Sequence, residues 1–221
     1  MLALSSVRGD SMSEWLMRIG LTFAIGCLVF TASEAFGDPP ALVTPQGFCA
    51  ADGSLPADAQ VAAGFKKSFE ARGGTLLALY RFCPGSPTTA GLIVVADAGA
   101  FGSSTSSYIS NVCAQLNAVK GVELVDIISN VDKIAREEVG RGVRPTSLKV
   151  LSAALESGIC YVFMRPEGPS RDPVLEILSY VSIRNRVILV ARVYGVTAPS
   201  ATEKSYRHLL QTIVALQQAN R

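Results

Sequence analysis

The sequence is poor in histidine, the side chain that enzymes use most often for proton transfer. It contains one histidine, His208, so any histidine-dependent catalytic triad would rely on that residue. His208 lies next to the apolar positions of a predicted helix, and no G-x-S-x-G turn accompanies it. The serine run 103–107 lacks such a turn as well. We therefore expect His208 to be a surface or boundary residue rather than a catalytic one.

Sequence patterns for phosphate, metal and redox chemistry are also missing. The sequence contains neither of the two glycine patterns typical of nucleotide binding. It also contains no H-x-x-x-H, calcium-loop or C-x-x-C pattern. The glycine-containing segment 99–104 follows a strand and is interpreted as a loop with a helix cap. Glu137 and Glu138 are adjacent on a predicted helix and diverge, and Asp97 has no identifiable partner. The sequence thus predicts no catalytic, cofactor-binding or metal-binding residue.

Charge is scarce and nearly balanced. Charged residues make up 17% of the chain and the formal net charge is +2, which is too small to indicate nucleic-acid binding. The local concentrations of positive charge are interpreted first as solvated loops. The sharper hypothesis is contact with an anionic envelope surface or an acidic partner protein. The candidate contact residues are Arg141, Arg144, Arg184 and Arg186.

Residues 1–37 have the pattern of a secretory signal peptide. A basic residue precedes the apolar run 19–30 and small residues follow it, so cleavage is expected before Phe36 or Asp38. An uncleaved membrane anchor is the rival interpretation, but the run is short for a span and ends at an acidic residue. We therefore predict a periplasmic or secreted protein in which residues 38–221 form a single domain.

Four cysteines lie beyond the predicted signal peptide. An even count in an exported chain favours two disulfides, for which three pairings exist. The preferred pairing joins Cys49 to Cys83 and Cys113 to Cys160, and each closed loop contributes on the order of 3–4 kcal/mol. The alternative is that Cys113 is a free core residue of its helix.

Two apolar strands joined by a tight turn dominate the sequence. Residues 173–195 are rich in β-branched and aromatic side chains on both sides of a turn at 184–186. Their apolar content is nearly continuous, as expected for strands that are covered on both faces. Asn185 tolerates positive φ, and the arginines at the tip are expected to lie in water. This segment predicts a central antiparallel hairpin.

The whole pattern predicts an α+β domain. Apolar spacing predicts helices over 56–72, 108–120, about 129–139 and 200–220. Strands are predicted near Cys49 and over 75–82, 91–96, 148–155, 159–164 and the hairpin, with loops over 97–107 and 166–169. Short turns between consecutive strands imply a central, mainly antiparallel sheet flanked by helices and closed by the C-terminal helix.

The opening T-P-Q-G-F-C at 44–49, the late strand pair with its short turn, and the closing helix resemble the Mog1/PsbP-like superfamily. They look in particular like its uncharacterised exported bacterial members. The resemblance covers most of 38–221 as an order of elements, and it implies an antiparallel sheet flanked by helices. Known members are mostly non-enzymatic binding or accessory proteins, and no functional residue carries over from them.

Together these features favour an exported, non-enzymatic accessory or binding protein of the cell envelope. Its expected partner is an envelope protein or an anionic surface, with no nucleic acid and no cofactor. Two alternatives stay open: a hydrolase using His208 with a serine or aspartate near 97–107, and a carrier with an apolar pocket between sheet and helix. A histidine held away from that segment would count against the first, and a filled core against the second.

Overall fold

A computed structural model describes residues 38–51, 56–70, 73–83, 91–100, 104–121, 147–167, 174–195 and 200–221. The predicted signal peptide, the predicted helix at 129–139, and the candidate contact residues Arg141 and Arg144 lie outside the described residues. Within the described ranges, no helix combines the length and the apolar character needed to cross a membrane.

The described residues form three helices and seven strands, and the strands belong to one sheet. All strand pairs are antiparallel, and the strand order across the sheet is β1-β2-β3-β7-β6-β5-β4. The predicted α+β class is confirmed. The elements are β1 (Phe48–Ala50), α1 (Pro56–Glu70), β2 (Thr75–Phe82), β3 (Gly91–Ala100), α2 (Thr105–Ala118), β4 (Ser147–Glu156), β5 (Ile159–Glu167), β6 (Val174–Ile183), β7 (Arg186–Gly195) and α3 (Ala201–Ala219).

Helices cover both faces of the sheet. Phe65 of α1 and Ile109 of α2 are buried against one face, together with alternate residues of the central strands. Leu209 and Ile213 of α3 are buried against the other face. Because each central strand contributes side chains to both cores, the apolar run 187–191 is continuous rather than alternating.

The β6–β7 hairpin closes with a two-residue turn. Ile183 pairs with Arg186, so the turn consists of Arg184 and Asn185, whose φ angles are 50° and 60°. Positive φ at both central positions matches the right-handed twist of the flanking strands. The turn is therefore one residue tighter than the predicted 184–186.

Two strands extend into segments that the sequence predicts as loops. β3 continues to Ala100, which pairs with Arg186 beyond a register shift after Asp97. The predicted loop 97–107 is wrong at its beginning because the start of β7 offers backbone partners there. β5 continues through Pro166 to Glu167, paired with β4. Its pairing with β6 has already ended, so the N–H that proline lacks interrupts no hydrogen bond to β6.

The cysteines lie in the two pairs that the sequence favours. The sulfurs of Cys49 and Cys83 are 1.94 Å apart, which ties β1 to the end of β2. Those of Cys113 and Cys160 are 2.26 Å apart, which ties α2 to β5. The Cα–Cα distances of 5.0 and 5.6 Å lie within the usual disulfide range. Cys113 is thus a bonded core residue, not a free one.

We expect the Cys113→Ala/Cys160→Ala double variant to lose about 4 kcal/mol of unfolding free energy, because the bond closes a separation of 47 residues and both cysteines are buried. Urea unfolding measures this loss. The Cys49→Ala/Cys83→Ala variant is the matched comparison and should lose less, since those side chains are half-buried. Wild-type stability in both variants, together with free thiols in the native protein, would contradict the pairing.

Candidate functional site

One arginine lies inside the interface between the sheet and α3. Arg192 of β7 is 1% exposed, and it pairs with Ile93 and Ile177, which face α3. Its Nη1 donates hydrogen bonds to the carbonyls of Leu92, at 3.2 Å, and Val193. Burial lowers the pKa of the guanidinium to about 10. The nearby Tyr194 acts in the opposite direction, but its effect on the pKa is smaller. Arg192 therefore remains a cation at neutral pH.

A glycine leaves room for this guanidinium. Gly91 of β3 lies opposite Tyr194 in the neighbouring strand. A Cβ atom at Gly91 would lie 2.6 Å from the carbonyl oxygen of Val193 and even closer to Nη1 of Arg192. The guanidinium thus occupies the space that a β3 side chain would otherwise fill.

Three aromatic rings surround the same guanidinium. Its Cζ lies 5.1 Å from the ring centroid of Phe82, 5.5 Å from that of Phe48 and 5.8 Å from that of Tyr194. The rings of Phe48 and Phe82 stack with centroids 4.4 Å apart. Desolvated cation–π contacts of this kind contribute about 2 kcal/mol. Part of the burial cost of the charge is therefore offset by the rings.

His208 of α3 packs against the aromatic rings that surround Arg192. The ring centroid of His208 lies 5.5 Å from Phe48 and 5.9 Å from Phe82, and it meets both rings edge-on. Burial, and then the charge of Arg192, lower the pKa of His208. Its Nδ1 is buried without a hydrogen-bond partner among the described residues. We call Phe48, Phe82, Arg192, Tyr194 and His208 the Arg192 cluster.

Asp97, for which the sequence offers no partner, forms an ion pair with Arg186. Its Oδ2 lies 2.5 Å from Nη2 and 2.6 Å from Nε of Arg186, and Oδ1 accepts a 2.8 Å hydrogen bond from the N–H of Gly99. The arginine side chain is only 13% exposed. The expectation that both tip arginines lie in water is therefore wrong for Arg186, because the carboxylate draws it onto the sheet. Arg184 is exposed.

His208 lies away from the described parts of the 97–107 segment, residues 97–100 and 104–107. His208 packs at the level of Gly91 and Ile93 through the Arg192 cluster, and Asp97 lies four positions beyond Ile93. Four positions of a strand span about 13 Å. In addition, α2 begins within that segment but packs on the opposite face of the sheet from α3.

Arg192 is not among the residues predicted from the sequence, although the sequence contains a signal for it. Arg192 is one charged residue inside the apolar run 187–194, and a buried charge needs compensation. Glu176 of β6 interrupts its own strand in the same way and is also fully buried. It pairs with Met164 and Val193, so it faces α1 and α2, whereas Arg192 faces α3. The two buried charges of the hairpin therefore lie on opposite faces.

Comparison with known proteins shows only a weak structural similarity. No protein-family model matches the chain, and no curated protein matches it. Among solved structures, a point mutant of the protein Mog1 is similar to it with 10% sequence identity, over 84% of this chain and 93% of that chain, at a TM-score of 0.33. A likeness at this level is a weak fold-level resemblance, and nothing about function is drawn from it.

We expect Gly91→Ala to lower the unfolding free energy by about 1–3 kcal/mol, because the added methyl group overlaps the Arg192 guanidinium and a strand carbonyl. Chemical denaturation measures the effect. Gly64→Ala is the matched control, since Gly64 lies in α1 with open space around its Cβ position, and it should be neutral or stabilising. Equal stability of both variants would show that Gly91 is not required.

We expect His208 to make the protein less stable as pH falls below about 6.5, the ordinary histidine value. Its folded-state pKa is lowered, so the unfolded chain takes up a proton that the folded chain resists. The contribution is fully present above this value and is lost as pH falls toward the folded pKa. His208→Phe retains an aromatic ring and cannot titrate, so the difference in unfolding free energy between the two proteins should change between pH 8 and pH 5. A constant difference would rule out this effect.

Proposed function

We propose that this protein is an exported, non-enzymatic binding or accessory protein of the cell envelope. The observation that carries the proposal is the presence of two cysteine pairs at disulfide distance, Cys49–Cys83 and Cys113–Cys160. Structural disulfides form and persist mainly in oxidising compartments outside the cytoplasm. The predicted signal peptide at 1–37 supports the same location.

The contacts of the potential catalytic groups support a binding role over a hydrolytic one. His208 packs against two phenylalanine rings above a buried cation, which disfavours the protonated form that a general base must adopt. Asp97 is held by Arg186 on a different part of β3. A triad using His208 and the 97–107 segment has no support in this arrangement.

The surface proposed for a partner contact is the tip of the β6–β7 hairpin. Arg184 is exposed there on a two-residue turn, whereas Arg186 is engaged by Asp97. An exposed cation at the tip of a hairpin favours an anionic envelope surface or an acidic partner protein. Arg184 is therefore the described residue on which we base the test of this contact.

The location is tested by expressing the full chain in a bacterium with a periplasm. We expect the protein in the periplasmic fraction, shortened to begin near Phe36 or Asp38, with all four remaining cysteines unreactive toward thiol reagents before reduction. A cytoplasmic, full-length protein in which all five cysteines react with thiol reagents would overturn the proposal.

The contact is tested by sedimentation with isolated envelopes at low salt. Arg184→Glu should reduce the bound fraction severalfold, because it reverses an exposed charge, and added salt should weaken wild-type binding. Lys66→Glu is the control, since Lys66 is an exposed cation on α1, far along the chain from the hairpin. Equal binding of wild type and Arg184→Glu would remove the hairpin tip as the contact.

A further inference from the structure

The Arg192 cluster holds a buried positive charge that no carboxylate of the described chain neutralises. Among the described residues, the hydrogen-bond partners of Arg192 are the carbonyls of Leu92 and Val193, and its guanidinium also lies against Gly91 and three aromatic rings. Glu176, the neighbouring buried carboxylate in β6, belongs to the opposite face of the sheet. A buried ion without a counter-ion costs several kcal/mol even after the protein relaxes. The fold therefore retains an expensive charge in a place where an apolar residue would pack.

Three buried polar atoms of the cluster have no hydrogen-bond partner among the described residues: the hydroxyl oxygen of Tyr194, Nε of Arg192 and Nδ1 of His208. Two of them are the nitrogens of Arg192 and His208. Both side chains lie against the same two rings, Phe48 and Phe82, so the unused groups belong to one small region. Each atom can donate a hydrogen bond, Arg192 always and His208 in the tautomer with a proton on Nδ1. Buried donors without an acceptor are uncommon in folded proteins and indicate a missing partner.

We propose that the Arg192 cluster binds a carboxylate group. A carboxylate is an acceptor with two oxygens in one plane, and it matches a guanidinium that offers several fixed N–H donors. The carboxylate would neutralise the positive charge of Arg192, and its oxygens would accept hydrogen bonds from Nε of Arg192 and from Nδ1 of His208. The surrounding rings keep the local dielectric low, which strengthens such hydrogen bonds.

The route to this site lies between α3 and the β1–β2 end of the sheet. Phe48 and Arg192 are buried, whereas His208 and Phe82 are half-buried and form the part of the cluster that reaches solvent. The Cys49–Cys83 pair fixes the residues that directly follow both phenylalanines. A ligand would therefore enter past His208, against a wall that the disulfide holds in place.

This inference rests on the proposed binding function and names the ligand class. The carboxylate could belong to a small organic acid or to the C-terminus of a partner polypeptide, because both present the same group. Its test uses purified, oxidised protein in solution, so a negative result leaves the envelope location untouched, and a cytoplasmic location leaves the binding result untouched.

The test follows the Nε–Hε NMR signal of Arg192 in ¹⁵N-labelled full-length protein during titration with sodium formate. Chloride is exchanged for formate so that ionic strength stays constant. The signal is assigned by its absence in Arg192→Lys. We expect a saturable shift of the Arg192 signal, and His208→Phe should weaken formate binding by about tenfold or more, the loss of roughly one good hydrogen bond. The Arg207 signal, from an exposed ion pair with Glu203, should not shift.

A second titration distinguishes the two sources of the group. Triglycine with a free C-terminus and its C-terminally amidated form are compared with formate. Binding of formate alone assigns the site to small acids, and binding of free but not amidated triglycine assigns it to a polypeptide C-terminus. If neither formate nor free triglycine produces a saturable Arg192 shift, or if His208→Phe binds formate as tightly as wild type, the proposed site is wrong. If Arg192→Lys does not fold, the signal is assigned in wild type by correlating the Arg192 side chain with its own backbone resonances, so the outcome can still be read.

Discussion

The pairing of β3 with β7 holds the two halves of the molecule in one sheet. β1, β2 and β3 form one antiparallel set and β4, β5, β6 and β7 form another, and their shared border is the β3–β7 ladder. This ladder joins residues about a hundred positions apart, such as Leu92 and Val193. Closing so long a loop costs entropy, which the two buried faces of these strands repay through apolar contact. The cores under α1, α2 and α3 all depend on it.

The Arg192 cluster lies on this border, which explains why its parts come from distant segments. Gly91 and Arg192 belong to the two strands that meet there, the phenylalanines come from β1 and β2, and His208 comes from α3. The Cys113–Cys160 pair lies within the second set instead, since α2 packs against β4, β5 and β6. The proposed binding site therefore depends on the long-range pairing, whereas this disulfide stabilises the second set.

The sequence allows good prediction of the elements but poor prediction of the site. Three disulfide pairings were possible from the sequence, and the structure places together the cysteines of the preferred one. Arg192 was missed because an apolar run that contains one charged residue predicts a strand, and the pattern does not indicate the contacts of that residue. Asp97 looked unpartnered because its partner, Arg186, is 89 residues away and approaches only through the β3–β7 register.

Local features can be predicted from the amino-acid sequence: helices from apolar spacing around Phe65 and Leu209, tight turns from residues that accept positive φ, and the α+β class from the order of elements. These properties depend on interactions within a few residues, so a local pattern contains them. The position of the last hairpin beside β3, and of Arg192 in the space above Gly91, is seen only in the folded chain. The alternation of side chains along a strand shows which residues share a face. Which side chains they contact on that face depends on the long-range strand register and on the space left after packing.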